Sequence, residues 1–291
     1  MFAHMTIKMP PMLLLQFLLL AGAVAAAGSV LARSADQIAE ATGLGRLLVG
    51  SLLLAAVTSL PELSVDIAAI RTGYVDLAAG DLFGSSLMNL LILAIVDLSI
   101  RSGRKMLSRE GAAHALSATL GIAVTSLAGL AIVTADKLPA VTILGMSGWS
   151  WAILLSYLFG ARMIFINQRI SARLAAESQL DDGGLSQGTS ARKPSFLLSA
   201  IVFCAAAVVL CFAGPKLAHV AGELAEETGL SGTFVGTTLV AVTTSLPELV
   251  ASLTAIRMGA IDLAIGNAFG SNAFNIVLFV PLDFLHEGSI F

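Results

Sequence analysis

The chain has 291 residues, of which 57% are hydrophobic and only 12% are charged, and its formal net charge is −3. Soluble domains carry about 25% charged residues, so this composition excludes an ordinary soluble domain. Apolar runs long enough to cross a bilayer recur along the chain and predict an all-helical integral membrane protein. The four histidines lack metal-ligand spacing. We expect no resident cofactor, no enzymatic activity and no nucleic-acid partner.

Hydropathy predicts eight transmembrane helices, in chain order at about 12–32, 45–71, 75–99, 112–133, 139–166, 196–217, 232–257 and 261–285. The first has the features of a signal peptide, but an equivalent apolar run recurs inside the chain, so we expect it to be retained. A polar stretch rich in Gly and Ser follows the fifth helix and predicts a flexible linker. The chain therefore divides into a first repeat at 1–168, a cytoplasmic linker at 169–194 and a second repeat at 195–291.

An internal repeat organises this pattern, because a shift of 186 residues aligns 27–97 with 213–283 without a gap. Basic residues follow the third predicted helix and border the linker, so both loops are expected to be cytoplasmic and both chain termini outside. The equivalent second and seventh helices then run in opposite directions. Inverted repeats of this kind are typical of secondary transporters, which bind their substrates near the middle of the membrane.

The stretch TSLPEL occurs twice inside the apolar runs, at 58–63 and again at 244–249. The proline of each copy interrupts a helix and frees backbone carbonyls, which in a membrane need protein, water or an ion as a partner. Glu62 and Glu248 follow directly, and an intramembrane carboxylate marks a functional site by default. The repeated motif therefore predicts an ion-binding site.

The helix that follows each motif supplies further oxygen donors, because a serine and an asparagine lie one turn apart in each copy. All the donors are hard oxygen atoms, with no thiolate or imidazole among them, and such a shell suits Ca²⁺ or Na⁺. The predicted ion-binding set is Glu62, Glu248, Thr58, Ser59, Thr244, Ser245, Ser85, Asn89, Ser271, Asn275 and the carbonyls of Ala55 and Ala241.

These paired motifs resemble the alpha-repeats of the cation/calcium exchanger superfamily, in particular the prokaryotic sodium/calcium exchangers. The resemblance covers about residues 12–285. It implies two inverted five-helix halves that work by alternating access, with helices one and six sliding past a core of helices two, three, seven and eight. It also implies that Glu62 and Glu248 are the central ion ligands. Only three helices of the second half are expected in this chain, which leaves open a truncated chain or a partner subunit or dimer that covers the missing flank.

The resemblance implies a secondary active antiporter that exchanges Ca²⁺ for Na⁺ across the cytoplasmic membrane. A proton/calcium antiporter with the same two glutamates stays open, as does a truncated, non-transporting membrane subunit. The first repeat carries Asp81 where the family usually has asparagine, and we expect this aspartate at a helix cap or at the pocket mouth. With asparagine at 89 and 275, the pocket then holds only two carboxylates, which predicts electroneutral exchange.

Overall fold

The computed structural model describes residues 10–99, 111–134, 137, 141–181, 194–227, 241–286 and 290–291. Within these ranges the chain is helical apart from turns and one hairpin, so the expected all-helical fold is confirmed. The hairpin pairs β1 (Thr142–Ile143) with β2 (Met146–Ser147) in antiparallel register. Its two turn residues, Leu144 and Gly145, both have positive φ, as the tightest hairpin turns require.

The helices are numbered in chain order. The first repeat contains α1 (Pro11–Thr42), α2 (Arg46–Leu48), a π-helical segment (Val49–Leu54), α3 (Ala55–Thr58), α4 (Leu60–Arg71), α5 (Val75–Ser99), α6 (Gly111–Thr134) and α7 (Gly148–Asp181). The second repeat contains α8 (Phe196–Glu227), a helical turn at 241–244, α9 (Leu246–Arg257), α10 (Ile261–Val277) and α11 (Phe279–Leu285).

Six of these helical stretches are long and apolar enough to cross a membrane: α1, α5, α6, α7, α8, and α10 continued by α11. The segments Arg46–Thr58 and Leu60–Arg71 are long and apolar enough only as a pair, which bends by 40° at the break and has the length of a broken span or of a re-entrant loop. The protein is thus a multi-pass membrane protein. The span expected at 232–257 is described only from residue 241. The expected linker begins inside α7, which continues to Asp181, and residues 182–193 lie outside the described ranges.

The two repeats are interleaved rather than placed side by side. Helix α1 packs along α8, its counterpart in the second repeat. Helix α1 also packs on α9 of the second repeat, while α8 packs on α4 of the first. Each repeat therefore covers the interrupted helix of the other with its own first helix.

Glycines make these crossed contacts close. A Cβ atom at Gly214 of α8 would lie 2.6 Å from Cγ of Pro61, and a Cβ atom at Gly28 of α1 would lie 3.2 Å from the carbonyl oxygen of Pro247. Gly28 and Gly214 are equivalent under the 186-residue shift, as are the two prolines. The pseudo-symmetry of the fold therefore extends to the contact between the outer helices and the two helix breaks.

Helix α10 forms the centre of the molecule. In the span formed by α10 and α11, 83% of the most apolar stretch is buried, against 28% for α8. Gly266 permits close packing, because a Cβ atom there would lie 2.6 Å from the carbonyl oxygen of Leu47, and Gly270 contacts the backbone of Ser51 directly. The small-xxx-small pattern of Gly266 and Gly270 thus allows α10 to pack closely against the first interrupted helix.

Candidate ion-binding site

Each repeat has a helix that is interrupted at a serine. The backbone of Ser59 has φ −85° and ψ 6°, and that of Ser245 has φ −82° and ψ 5°. The proline two residues later lies in the first turn of the restarting helix, where the lack of an N–H removes no helical hydrogen bond. Glu62 and Glu248 lie in the same first turns, where the positive end of the helix dipole favours a carboxylate.

The two glutamates are enclosed in the protein interior. Each is 1% exposed, and they lie near enough for the charge of Glu248 to act on Glu62. Among the ion pairs of the described residues, none includes either glutamate. Because a buried carboxylate without a counter-charge is strongly unfavourable, this arrangement is suited to a cation that both carboxylates contact.

The other predicted side chains surround the glutamates in the interior. The ten polar side chains of the predicted set are all at most 2% exposed. Several of their polar atoms form no hydrogen bond: Ser59 Oγ, Glu62 Oε2, Ser85 Oγ, Asn89 Oδ1, Ser245 Oγ, Asn275 Oδ1 and both carboxylate oxygens of Glu248. A buried polar atom without a partner costs about 1–3 kcal/mol. So many oxygen atoms in one place therefore indicate a site that an ion or water completes.

Thr58 joins the two repeats inside this cluster. Its hydroxyl oxygen lies 3.5 Å from the hydroxyl of Ser271 and 3.4 Å from Oδ1 of Asn267. Helix α9, which carries Glu248, contacts α3, which ends at Thr58. The residues at the first break thus contact residues of the second repeat.

The two predicted carbonyl ligands, those of Ala55 and Ala241, already accept hydrogen bonds within the protein. The carbonyl of Ala55 accepts hydrogen bonds from the amide of Ser59 at 3.1 Å and from the hydroxyl of Thr58 at 3.3 Å. The carbonyl of Ala241 accepts equivalent bonds from Ser245 at 3.1 Å and Thr244 at 3.0 Å. The expectation that the proline frees these carbonyls is wrong in this conformation, because the serine at each break completes the helical hydrogen bond.

The expectation that Asp81 caps a helix is also wrong. This residue lies within α5 rather than at its first turn. Its Oδ2 atom is buried, and its charge acts on the Asp66 carboxyl group of the neighbouring helix α4. The charges of both aspartates act on Glu62. Among the described residues, four carboxyl groups therefore interact around this site, and the argument for electroneutral exchange from two carboxylates loses its premise.

Sequence reasoning missed three residues of this region: Asp66, Ser252 and Asn267. Asp66 lies four residues after Glu62, a spacing that places both on one face of α4, so the signal was present. Ser252 and Asn267 carry no charge, and only the packing of α9 on α10 shows that they meet.

Two interrupted helices in inverted repeats, each bringing a carboxylate to a shared interior site, define an inverted-repeat membrane transport protein. The family model described as "Sodium/calcium exchanger protein" matches residues 12–166 and 198–289. The chain therefore belongs to the sodium/calcium exchanger family.

Individual relatives agree with this assignment. The inner membrane protein YrbG of Escherichia coli is 28% identical over 256 residues, which cover 87% of this chain and 73% of YrbG. The sodium/calcium exchanger MaX1 of Methanosarcina acetivorans is 55% identical over 51 residues, and the putative antiporter CaxA of Alkalimonas amylolytica is 58% identical over 43 residues. These two matches span only 15% and 14% of the relatives' lengths.

Solved structures of the sodium-calcium exchanger NCX_Mj have the same fold. One of them, from a crystal soaked with Na⁺ and no Ca²⁺, superposes with a TM-score of 0.67 at 20% sequence identity. The match covers 94% of this chain and 83% of that one. The expected inverted-repeat architecture is thereby confirmed.

Proposed function

We propose that this protein is a secondary active antiporter that exchanges Ca²⁺ for Na⁺ by alternating access. The observation that carries the proposal is the cluster of buried, unpartnered oxygen atoms around Glu62 and Glu248. All of the donors are carboxylate, hydroxyl or amide oxygens, which are the ligands that Ca²⁺ and Na⁺ prefer. The family to which the chain belongs supports the same activity.

The glutamates supply the physical basis of exchange. Together they neutralise one Ca²⁺ or two monovalent ions, so occupancy by one kind of ion disfavours occupancy by the other. The surrounding hydroxyl and amide groups of both repeats replace the water ligands that the ion loses on entry. Because each repeat contributes half of the ligands, a displacement of one repeat relative to the other alters the site as a whole.

Helices α1 and α8 are the moving elements in this proposal. They pack on each other and cross the two helix breaks at Gly28 and Gly214. A glycine allows the backbone of the outer helix to pass the proline ring at close range. Movement of the α1–α8 pair past the breaks would open the ion site to one side of the membrane at a time.

Purified protein in liposomes tests this proposal. We expect uptake of radioactive Ca²⁺ when the liposomes are loaded with Na⁺ and diluted into Na⁺-free medium. The variants Glu62→Gln and Glu248→Gln should each abolish that uptake. Glu40→Gln makes the same chemical change at an exposed position of α1 and should transport normally. Normal uptake by either pocket variant would overturn the site assignment.

The same liposomes distinguish the other two readings of the sequence. Uptake driven by a pH gradient and not by a Na⁺ gradient would identify a proton/calcium antiporter. Binding of Ca²⁺ without uptake under either gradient would identify a non-transporting membrane subunit. The mass of the detergent-solubilised particle, after subtraction of bound detergent, measures whether the chain assembles with a second copy.

The orientation also belongs to this proposal. We place the protein in the cytoplasmic membrane with its central linker inside and both termini outside, because basic residues border the linker. Reporter fusions at the N-terminus and within 182–193 provide the test. A reporter that is active only in the cytoplasm should work in the linker and fail at the N-terminus, and the opposite pattern would reverse the orientation.

A further inference from the structure

The two repeats differ in charge at one equivalent helix contact. The 186-residue shift pairs Asp66 with Ser252 and Asp81 with Asn267. In the second repeat the amide of Asn267 donates to the hydroxyl of Ser252 at 3.2 Å, which makes a neutral contact. In the first repeat the same two positions, on helices α4 and α5 that pack on each other, hold two carboxyl groups whose charges interact.

Three of the four carboxylate oxygens in the acidic contact are buried without a hydrogen-bond partner. Asp66 is 0% exposed, and neither of its carboxylate oxygens accepts a hydrogen bond that meets normal geometry. The Oδ2 atom of Asp81 is buried and unpartnered as well. Across the part of the chain that the structure describes, the ion pairs join other residues and none includes Asp66 or Asp81.

The charges of the two carboxylates make this contact electrostatically unfavourable. Two ionised carboxylates side by side repel each other, and burial adds a further penalty for each charge. The second repeat shows that a serine and an asparagine satisfy the same helix contact with one hydrogen bond. The acidic pair is therefore unnecessary for packing, and carboxylates inside membrane proteins mark ion sites and pathways.

We propose that Asp66 and Asp81 form a second cation site that binds a hard metal ion, Na⁺ or Ca²⁺. Two carboxylates offer up to four oxygen ligands, and water completes the shell of such ions readily. This site goes beyond the exchange reaction proposed above, whose ligands are the two glutamates and their neighbours. Because the charges of both aspartates act on Glu62, a cation held here would weaken the binding of a second cation at the glutamates.

Binding to the purified full chain in detergent tests this site without transport. The background is the double variant Glu62→Gln/Glu248→Gln, in which the glutamate pocket no longer carries negative charge. Equilibrium dialysis against radioactive Ca²⁺ alone and against radioactive Na⁺ alone then measures the remaining sites. We expect one bound ion per chain in at least one of the two arms, and the arm that shows it identifies the ion.

A second pair of substitutions assigns that bound ion to the aspartates. Adding Asp66→Ser/Asp81→Asn to the background copies the pair that the second repeat already holds, and we expect affinity to fall at least tenfold. If this variant fails to give a monodisperse protein, Asp66→Asn alone keeps the shape of the side chain and should show the same loss. No ion in either arm, or binding unchanged by these substitutions, would overturn the proposal. Loss of exchange in liposomes with the aspartate-dependent ion still bound would instead overturn only the proposed transport.

Discussion

The contact between α8 and the first helix break leads to our most specific prediction, the effect of Gly214→Ala. A Cβ atom at this position would lie 2.6 Å from Cγ and 2.7 Å from Cβ of Pro61. Carbon atoms in contact settle at about 3.5–4.0 Å. The helix or the proline must therefore withdraw by roughly 1 Å, and neither yields easily, because the proline ring is part of the backbone.

Overpacking of this kind costs about 1–3 kcal/mol of folding free energy. Gly222→Ala in the same helix provides the matched control, because no described atom lies within 4 Å of a Cβ atom there. That control should gain about 0.5–1 kcal/mol, because alanine favours the helix over glycine. Gly28→Ala should fall between the two, because its Cβ atom would lie 3.2 Å from the carbonyl oxygen of Pro247.

Thermal unfolding in detergent, followed by the loss of monodisperse protein, ranks the three variants. We expect Gly214→Ala to melt lowest, Gly28→Ala next and Gly222→Ala highest. Ca²⁺ uptake should follow the same order, while Ca²⁺ affinity stays near the native value, because the ion ligands are unchanged. A Gly214→Ala protein as stable and as active as Gly222→Ala would refute the close contact between α8 and the break.

Three further predictions concern polar contacts. Ser150→Ala should cost about 1.5–3 kcal/mol in thermal unfolding, since its hydroxyl donates at 2.7 Å to the buried Asp283 carboxylate; unchanged stability would show that the bond is dispensable. Thr58→Val should raise the Ca²⁺ concentration for half-maximal uptake about tenfold, whereas Thr58→Ser should not; equal behaviour of both variants would remove this hydroxyl from the ligands. If the ion at Asp66 and Asp81 is transported together with the ions at the glutamates, Ca²⁺ uptake by the native protein should respond to a membrane potential set with valinomycin. One charge moved across 100 mV is worth about 2.3 kcal/mol. The variant Asp66→Ser/Asp81→Asn should remove that response.

The sequence predicted the membrane helices, the repeat and the burial of the site because each depends on a local or periodic pattern. A duplicated Pro-Glu pair in an apolar run predicts where each helix breaks and that a carboxylate lies beside the break. The structure buries the ten polar side chains chosen on that basis. Their role as ion ligands stays a prediction.

The sequence did not predict which polar atoms satisfy one another. The carbonyls of Ala55 and Ala241 looked free because proline removes an N–H, yet the amides of Ser59 and Ser245 reach back to them. Asp81 looked like a capping residue because it lies near the start of a helix. Its inward position depends on how α4 and α5 pack, which the spacing of residues along one helix does not contain.

The crossed contacts of α1 with α9 and α8 with α4 make the two repeats depend on each other. A single repeat would leave its interrupted helix uncovered on the side that the other repeat's first helix now occupies. A second copy in the opposite orientation covers that side and receives the same protection in return. A single repeat is therefore complete only when it pairs with a second copy in the opposite orientation. Within one chain the two copies need not be identical, and the acidic pair in one repeat beside its neutral counterpart in the other is such a difference.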